Sequence, residues 1–189
     1  MDFFVKSQNE EGQDIYDGFG YDRGHLAPSA DFRWSRVALS ESYYYSNMSP
    51  QFPEFNRGIW AELENQIRAY VSAHPKNQLH VVTGPIFEGE VSFIERSKNQ
   101  VAIPDYFFKV ILDKKRNSSV AFVLPHARNI HYPLDTYIVT VDELEKRTGY
   151  DFFPNIENDS CEAVVDARAW LKTTENGDVT PVSAVNLPK

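Results

Sequence analysis

The sequence predicts an α+β protein, a mixed body of helices packed on a sheet that is antiparallel or mixed. Three observations carry this. One long segment repeats its apolar residues at spacings of three and four, the mark of a helix with one buried face. Three later segments are rich in β-branched and aromatic residues and are bounded by Gly, Pro, Asn or Ser, the mark of strands. There is no internal repeat, low-complexity stretch or linker, so residues 1–189 are expected to form a single domain.

Taken in order, residues 1–20 read as a short acidic lead-in, with "DFFVKS" as the remnant of a strand. "GFGYDRGHLAP" is bounded by Gly18, Gly20 and Pro28 and reads as a short strand or turn entering a loop. "SESYYYSNMSPQFPEF" is aromatic and broken by Pro50 and Pro53, so a short helix or loop is expected there. The long helix is "FNRGIWAELENQIRAYVSAH". Trp60, Leu63, Ile67 and Val71 form its buried stripe, Asn56 stands where an N-cap would, and His74-Pro75 ends it. The strand candidates "LHVVTGPIF", "PDYFFKVILD" and "SSVAFVLPH" follow. Thr140 and Glu143 then fit a capping box, with Gly149 as the helix stop. "SCEAVVDARAWL" reads as a last helix, and residues 173–189 as a loop-like tail.

The composition is that of an ordinary soluble globular protein, at 42% hydrophobic and 24% charged residues. No run of eighteen apolar residues is present, so no membrane-spanning helix is expected. The single cysteine, Cys161, excludes an intrachain disulfide. A net charge of −8 argues against holding nucleic acid by bulk electrostatics. It leaves room for one local basic cleft, because Arg23, Arg33, Arg36, Arg57 and Arg68 all fall in the N-terminal part of the chain. The alternative is a scatter of solvated arginines.

Chemistry concentrates between Asp22 and Arg68, where Asp22, Arg23, His25, Asn47, Gln51, Asn56, Glu64 and Arg68 lie. Phosphodiester hydrolysis needs a base that accepts a proton from water near neutral pH, and a histidine such as His25 has the matching pKa. It needs a divalent cation to neutralise developing charge, and Mg²⁺ takes few protein ligands, prefers oxygen and keeps several waters. Asn56 offers an amide oxygen. On an ideal helix Glu64 lies roughly 80° round the axis from Asn56 and within reach of a metal-bound water. Arg68 offers a cation to the transition state. The bland reading of Glu64 and Arg68 is a surface i,i+4 pair worth roughly 0.3–0.5 kcal/mol. That of Asp22-Arg23 is a turn, and that of His25 a surface histidine. His74, His80, His126 and His131 show no metal-ligand spacing and are assigned no site. The residues by themselves point to a metal-dependent hydrolase.

The blocks Asp22-Arg23-Gly24-His25, Ser46-Asn47-Met48-Ser49-Pro50-Gln51 and Asn56-Arg57-Gly58-Ile59-Trp60 with Leu63-Glu64 stand in order. They resemble the signature of the DNA/RNA non-specific endonuclease family, and the likeness runs from about Tyr21 to Pro154. The resemblance implies a ββα-metal (His-Me finger) fold and an endonuclease cutting DNA and RNA with little sequence preference. It implies His25 as the base, and Asn56 as the main protein ligand of one Mg²⁺ (Mn²⁺ as a substitute). It gives Glu64 a metal-bound water, Arg68 the transition state, Arg23 a phosphate and Asn47 an orienting role, with 5′-phosphate products. Relatives are often homodimers, and a bacterial secreted or periplasmic location is favoured over the cytoplasm, although no signal peptide is visible in this sequence. Family members usually carry several tens of residues before DRGH, including an early strand and an arginine that acts near the phosphate. Here 21 residues precede Asp22, none is arginine, and Lys6 is the sole cation among them. A trimmed chain or a shortened N-terminal part is expected, with a weaker sheet edge and lower activity. The acidic lead-in would bind an inhibitor or partner protein, or shield the site. Two rivals stay open. One is a catalytically weak nuclease-fold binding module. The other is a phosphodiesterase acting on something other than nucleic acid.

Overall fold

A computed structural model describes residues 16, 18–95, 100–130, 133–154 and 170–171. Strands β1 (Asp22–His25) and β2 (Met48–Gln51) pair antiparallel, with α1 (Arg36–Glu41) between them. The chain then runs through α2 (Pro53–Phe55), a wide π-turn over Asn56–Trp60, and α3 (Ala61–Ala73). The main sheet comprises β3 (Leu79–Ile86), β6 (Tyr106–Asp113), β7 (Ser118–Pro125) and β8 (Ile138–Val139) in that spatial order, every pairing antiparallel. The short pair β4 (Ser92–Phe93) and β5 (Ala102–Ile103) lies between β3 and β6 in sequence, and α4 (Val141–Thr148) follows β8.

The three strand segments expected from sequence are β3, β6 and β7. Strands β6 and β7 read as nearly continuous apolar runs because both of their faces are covered. Phe107, Ile111, Val120, Phe122 and Leu124 pack with Trp60, Leu63 and Tyr70 of the helical arm. The alternate residues Phe108, Val110, Ala121 and Val123 pack with Val141 and Leu144 of α4. The two-residue side-chain period of a strand separates the layers. The capping box on α4 is present, with Thr140 Oγ1 accepting from Glu143 N and Glu143 Oε2 from Thr140 N. Gly149 closes that helix in the left-handed region at φ 74°.

Three expectations are corrected. Asn56 is not an N-cap, because the helical turn already starts at Pro53, a residue suited to a first turn. The stripe does not continue to Val71, which is 43% exposed, and Tyr70 is buried instead. Separately, a π-turn precedes the stripe. Gly58 leaves helical geometry there (φ −99°, ψ −112°), and the helix phase set by Trp60 differs from that of an ideal helix begun at Asn56. "SESYYYSNMSPQFPEF" holds the strand β2 as well as short helical turns. The expected last helix lies largely outside the described residues. Its Trp170 stacks on Tyr70 at 4.5 Å and donates to Ser118 Oγ at 3.2 Å.

Candidate active site

"DRGH" is a strand. His25 ends β1 opposite Met48, and Asp22 stands opposite Gln51. Gly24 is required by close approach. A Cβ there would overlap the side chain of Gln51, which is fully buried against it. Replacing Gly24 by alanine is therefore expected to cost roughly 1–3 kcal/mol by overpacking. Thermal unfolding checks this, and an unchanged midpoint counts against it.

The segment after His25 is clamped by Asn47. Its Oδ1 accepts from Ala27 N at 2.9 Å, and its Nδ2 donates to the carbonyls of Ala27 and Ser42, both at 2.8 Å. Leu26 N donates to the Asn47 carbonyl at 3.0 Å. The His25 ring stands edge-on to Tyr43 at 4.8 Å. Its Nε2 is buried and has no hydrogen-bond partner among the described residues. Burial lowers the imidazole pKa below its ordinary value, so the ring is neutral at pH 7.

Asn56 is aimed from the far side of the hairpin. Its Nδ2 donates to Asp22 Oδ2 at 2.9 Å, and Arg57 grips the same carboxylate through Nε at 2.8 Å and NH2 at 2.7 Å. Burial raises the Asp22 pKa, but the bonds from Arg57 and Asn56 outweigh it and hold the carboxyl below its usual value. An ionised carboxylate only accepts, so it fixes the NH₂ end of Asn56 and turns the amide oxygen away, as an outer partner does for a metal ligand. One oriented amide oxygen suits Mg²⁺, which takes few protein oxygens. Among the described residues no group of three or more His, Cys, Asp or Glu is arranged to hold a metal.

Glu64 lies on α3 with its side chain 14% exposed, 3.9 Å from Arg68. Burial raises its pKa, and Lys109 and Arg68 offset part of that rise. Arg68 binds Asp31 at 3.0 Å and Asn65 at 2.8 Å. Asn47, Glu64, Asp31, Leu26 and Lys109 line one groove of about 480 Å³. Arg23 is exposed, with its guanidinium 5.9 Å from the Tyr45 ring centre. Arg57 is engaged by Asp22 and Arg68 by Asp31. His126 is structural. Its Nε2 accepts from Phe52 N at 2.8 Å and its Nδ1 donates to the Pro104 carbonyl at 2.9 Å, which ties the end of β7 to the start of α2. Sequence reasoning did not find Lys109 or Asp31. The signal for Lys109 was legible, since a lysine interrupts the apolar run "YFFKVIL".

An antiparallel hairpin ending in a half-buried neutral histidine, followed by a helical arm bearing an oriented amide, defines a ββα-metal nuclease fold. The model of the DNA/RNA non-specific endonuclease family matches residues 1–159, and the chain belongs to that family. Mitochondrial endonuclease G of Homo sapiens is 34% identical over 153 residues, covering 75% of this chain and 51% of that protein. A nuclease of Nostoc sp. is 35% identical over 167 residues, covering 80% and 58%. The mitochondrial Nuclease 1 of Schizosaccharomyces pombe is 35% identical over 158 residues, covering 75% and 48%. This chain thus spans about half the length of these relatives. A crystal structure of the EndoG/EndoGI complex is similar at a TM-score of 0.68 and 26% identity, over 81% of this chain and 70% of that one.

Proposed function

We propose that this protein is an endonuclease that hydrolyses phosphodiester bonds of DNA and RNA with little sequence preference. The observation that supports it most is the placement of a neutral, half-buried histidine and a carboxylate-oriented asparagine on one hairpin–helix unit, within a chain of the non-specific endonuclease family. His25 accepts the proton of the attacking water. That water forms a new P–O bond as the P–O3′ bond breaks, leaving a 5′-phosphate and a 3′-hydroxyl. Asn56 directly, and Glu64 through water, would hold a Mg²⁺ or a substituting Mn²⁺. Such an ion, when bound, supplies Lewis-acid stabilisation of charge at phosphorus and on the leaving oxygen. Arg68 offers positive charge to the same centre, Arg23 contacts phosphate at the exposed rim, and Asn47 holds the segment after His25. Recognition through phosphate, rather than base edges or the 2′-hydroxyl, leaves sequence and sugar unread. Export from a bacterial cytoplasm fits so unselective a nuclease, because it separates the enzyme from the cell's own nucleic acid.

The test is cleavage of supercoiled plasmid and of an RNA transcript with Mg²⁺ or with EDTA. Cutting of both, only with metal, is expected. Metal-dependent hydrolysis of a small phosphodiester with both polymers left intact overturns the reading in favour of another phosphodiesterase. Tight binding without cutting overturns it in favour of a binding module.

The pH dependence has a definite sign. His25 must be neutral, and its pKa is lowered, so the base survives to lower pH than an ordinary histidine. Glu64 must be ionised, and its pKa is raised, so its protonation starts at higher pH than that of an ordinary glutamate. Activity is expected to fall as pH drops, as Glu64 and His25 take up protons. A kcat/KM profile that stays flat over the whole acid range in which the protein remains folded excludes His25 as the base.

A further inference from the structure

Lys109 lies in the middle of β6, on the face that carries Phe107 and Ile111 toward the helical arm, and is 1% exposed. Its Nζ donates to Thr83 Oγ1 at 2.7 Å, the residue opposite it in β3, and reaches the Leu26 carbonyl at 3.5 Å. The ring centre of Trp60 is 4.7 Å away. Burial pushes the lysine down to about 8, Glu64 and Asp31 act to raise it, and Arg68 acts with burial. At neutral pH the group is an ammonium. Burying an ammonium in an apolar layer costs stability unless opposite charges meet it. The contacts give the reason for the charge. Leu26 directly follows His25 in the chain, and Glu64 and Asp31 line the same groove as Lys109.

We infer that Lys109 is a positioning residue of the active site, fixing the Leu26 carbonyl beside His25 and supplying the buried positive charge that Glu64 and Asp31 face. It acts through those groups and meets neither the phosphate nor the water. The catalytic part of the inference rests on the nuclease reading above. The placement of His25 is testable without it.

The experiment compares the parent with Lys109→Met, which keeps the length of the side chain and its packing on Trp60 but removes the charge. Thermal unfolding is expected below the parent's midpoint, because Glu64 and Asp31 lose the charge they face, so rates and resonances are compared at a temperature where both proteins are folded. At saturating plasmid kcat should fall roughly tenfold to a hundredfold, the scale of a small misplacement of a reacting group. KM should move much less, because the lysine lies beneath the groove. In metal-free, isotope-labelled protein the His25 imidazole resonances should shift while those of exposed His80 stay. The inference is overturned if the variant cuts like the parent. It is also overturned if kcat falls while the His25 resonances stay in place. If Lys109→Met does not fold, Thr83→Val removes the strongest partner of the lysine. The same His25 shift is then expected, and its absence overturns the inference. A parent that cuts neither plasmid nor RNA defeats the proposed function, and the His25 resonances still decide the positioning.

Discussion

Replacing His25 by alanine is expected to lower kcat for plasmid cleavage by roughly 10²–10⁴-fold, the range that a well-placed general base contributes. The ring sits at the end of β1, with Nε2 buried and without a partner among the described residues. A buried polar atom of that kind costs stability unless something outside the chain meets it. Here water or substrate would do so. Burial also keeps the ring neutral at pH 7, the form able to take a proton. The loss should appear in kcat more than in KM, because the base acts only as the proton moves. Unfolding should change little, since the ring is half-buried and makes one aromatic contact, with Tyr43. Added imidazole should restore part of the rate, as it can enter the space left by the ring. A variant that retains more than about a tenth of the parent's kcat would remove His25 from the proton transfer, since even the low end of that contribution is about a hundredfold.

Much of this protein is legible from its sequence because much of it is locally specified. The strands β3, β6 and β7 announce themselves by β-branched and aromatic runs between turn residues, and α4 by Thr140, Glu143 and Gly149. The order of the DRGH, Ser-Asn and Asn-x-Gly-x-Trp blocks points to the family. What the sequence hides is set by distant partners. Strand β2 contains Pro50 and follows an aromatic run, so nothing local marks it as a strand. It becomes one by pairing with β1. Asn56 resembles a cap because asparagine usually is one near a helix start, whereas here a carboxylate 34 residues upstream claims its amide. Tyr70 rather than Val71 is buried because it meets Trp170 and the sheet, partners distant in sequence. Lys109 is the converse case. The charge in an apolar strand is visible, and its reason appears only once Leu26, Thr83 and Trp60 are seen around it.

Asn56 is expected to tolerate neither removal nor replacement by its acid. Alanine deletes the amide oxygen that would bind the metal and frees one face of Asp22, so cleavage at about 1 mM Mg²⁺ should fall by at least roughly a hundredfold, since one lost ligand weakens a weakly held ion more than a lost outer partner does. Aspartate is the sharper case. In many Mg²⁺ sites a carboxylate binds better than an amide, and by that logic Asn56→Asp should be active. Here the group must also donate to Asp22, 2.9 Å away, and a carboxylate has no proton to give. Two carboxylates would then share one site with Arg57, which is largely exposed and screened by water. One of them would be driven toward protonation, or both apart. Asn56→Asp is therefore expected to remain far below the parent at pH 7. It should recover in part when Asp22 is also changed to Asn, which restores one donor facing one acceptor. Measuring Mn²⁺ binding alongside cleavage for both single variants and the double variant separates ligand loss from misorientation. If Asn56→Asp alone binds Mn²⁺ and cuts as well as the parent, the Asp22–Asn56 bond is not what sets the ligand's orientation.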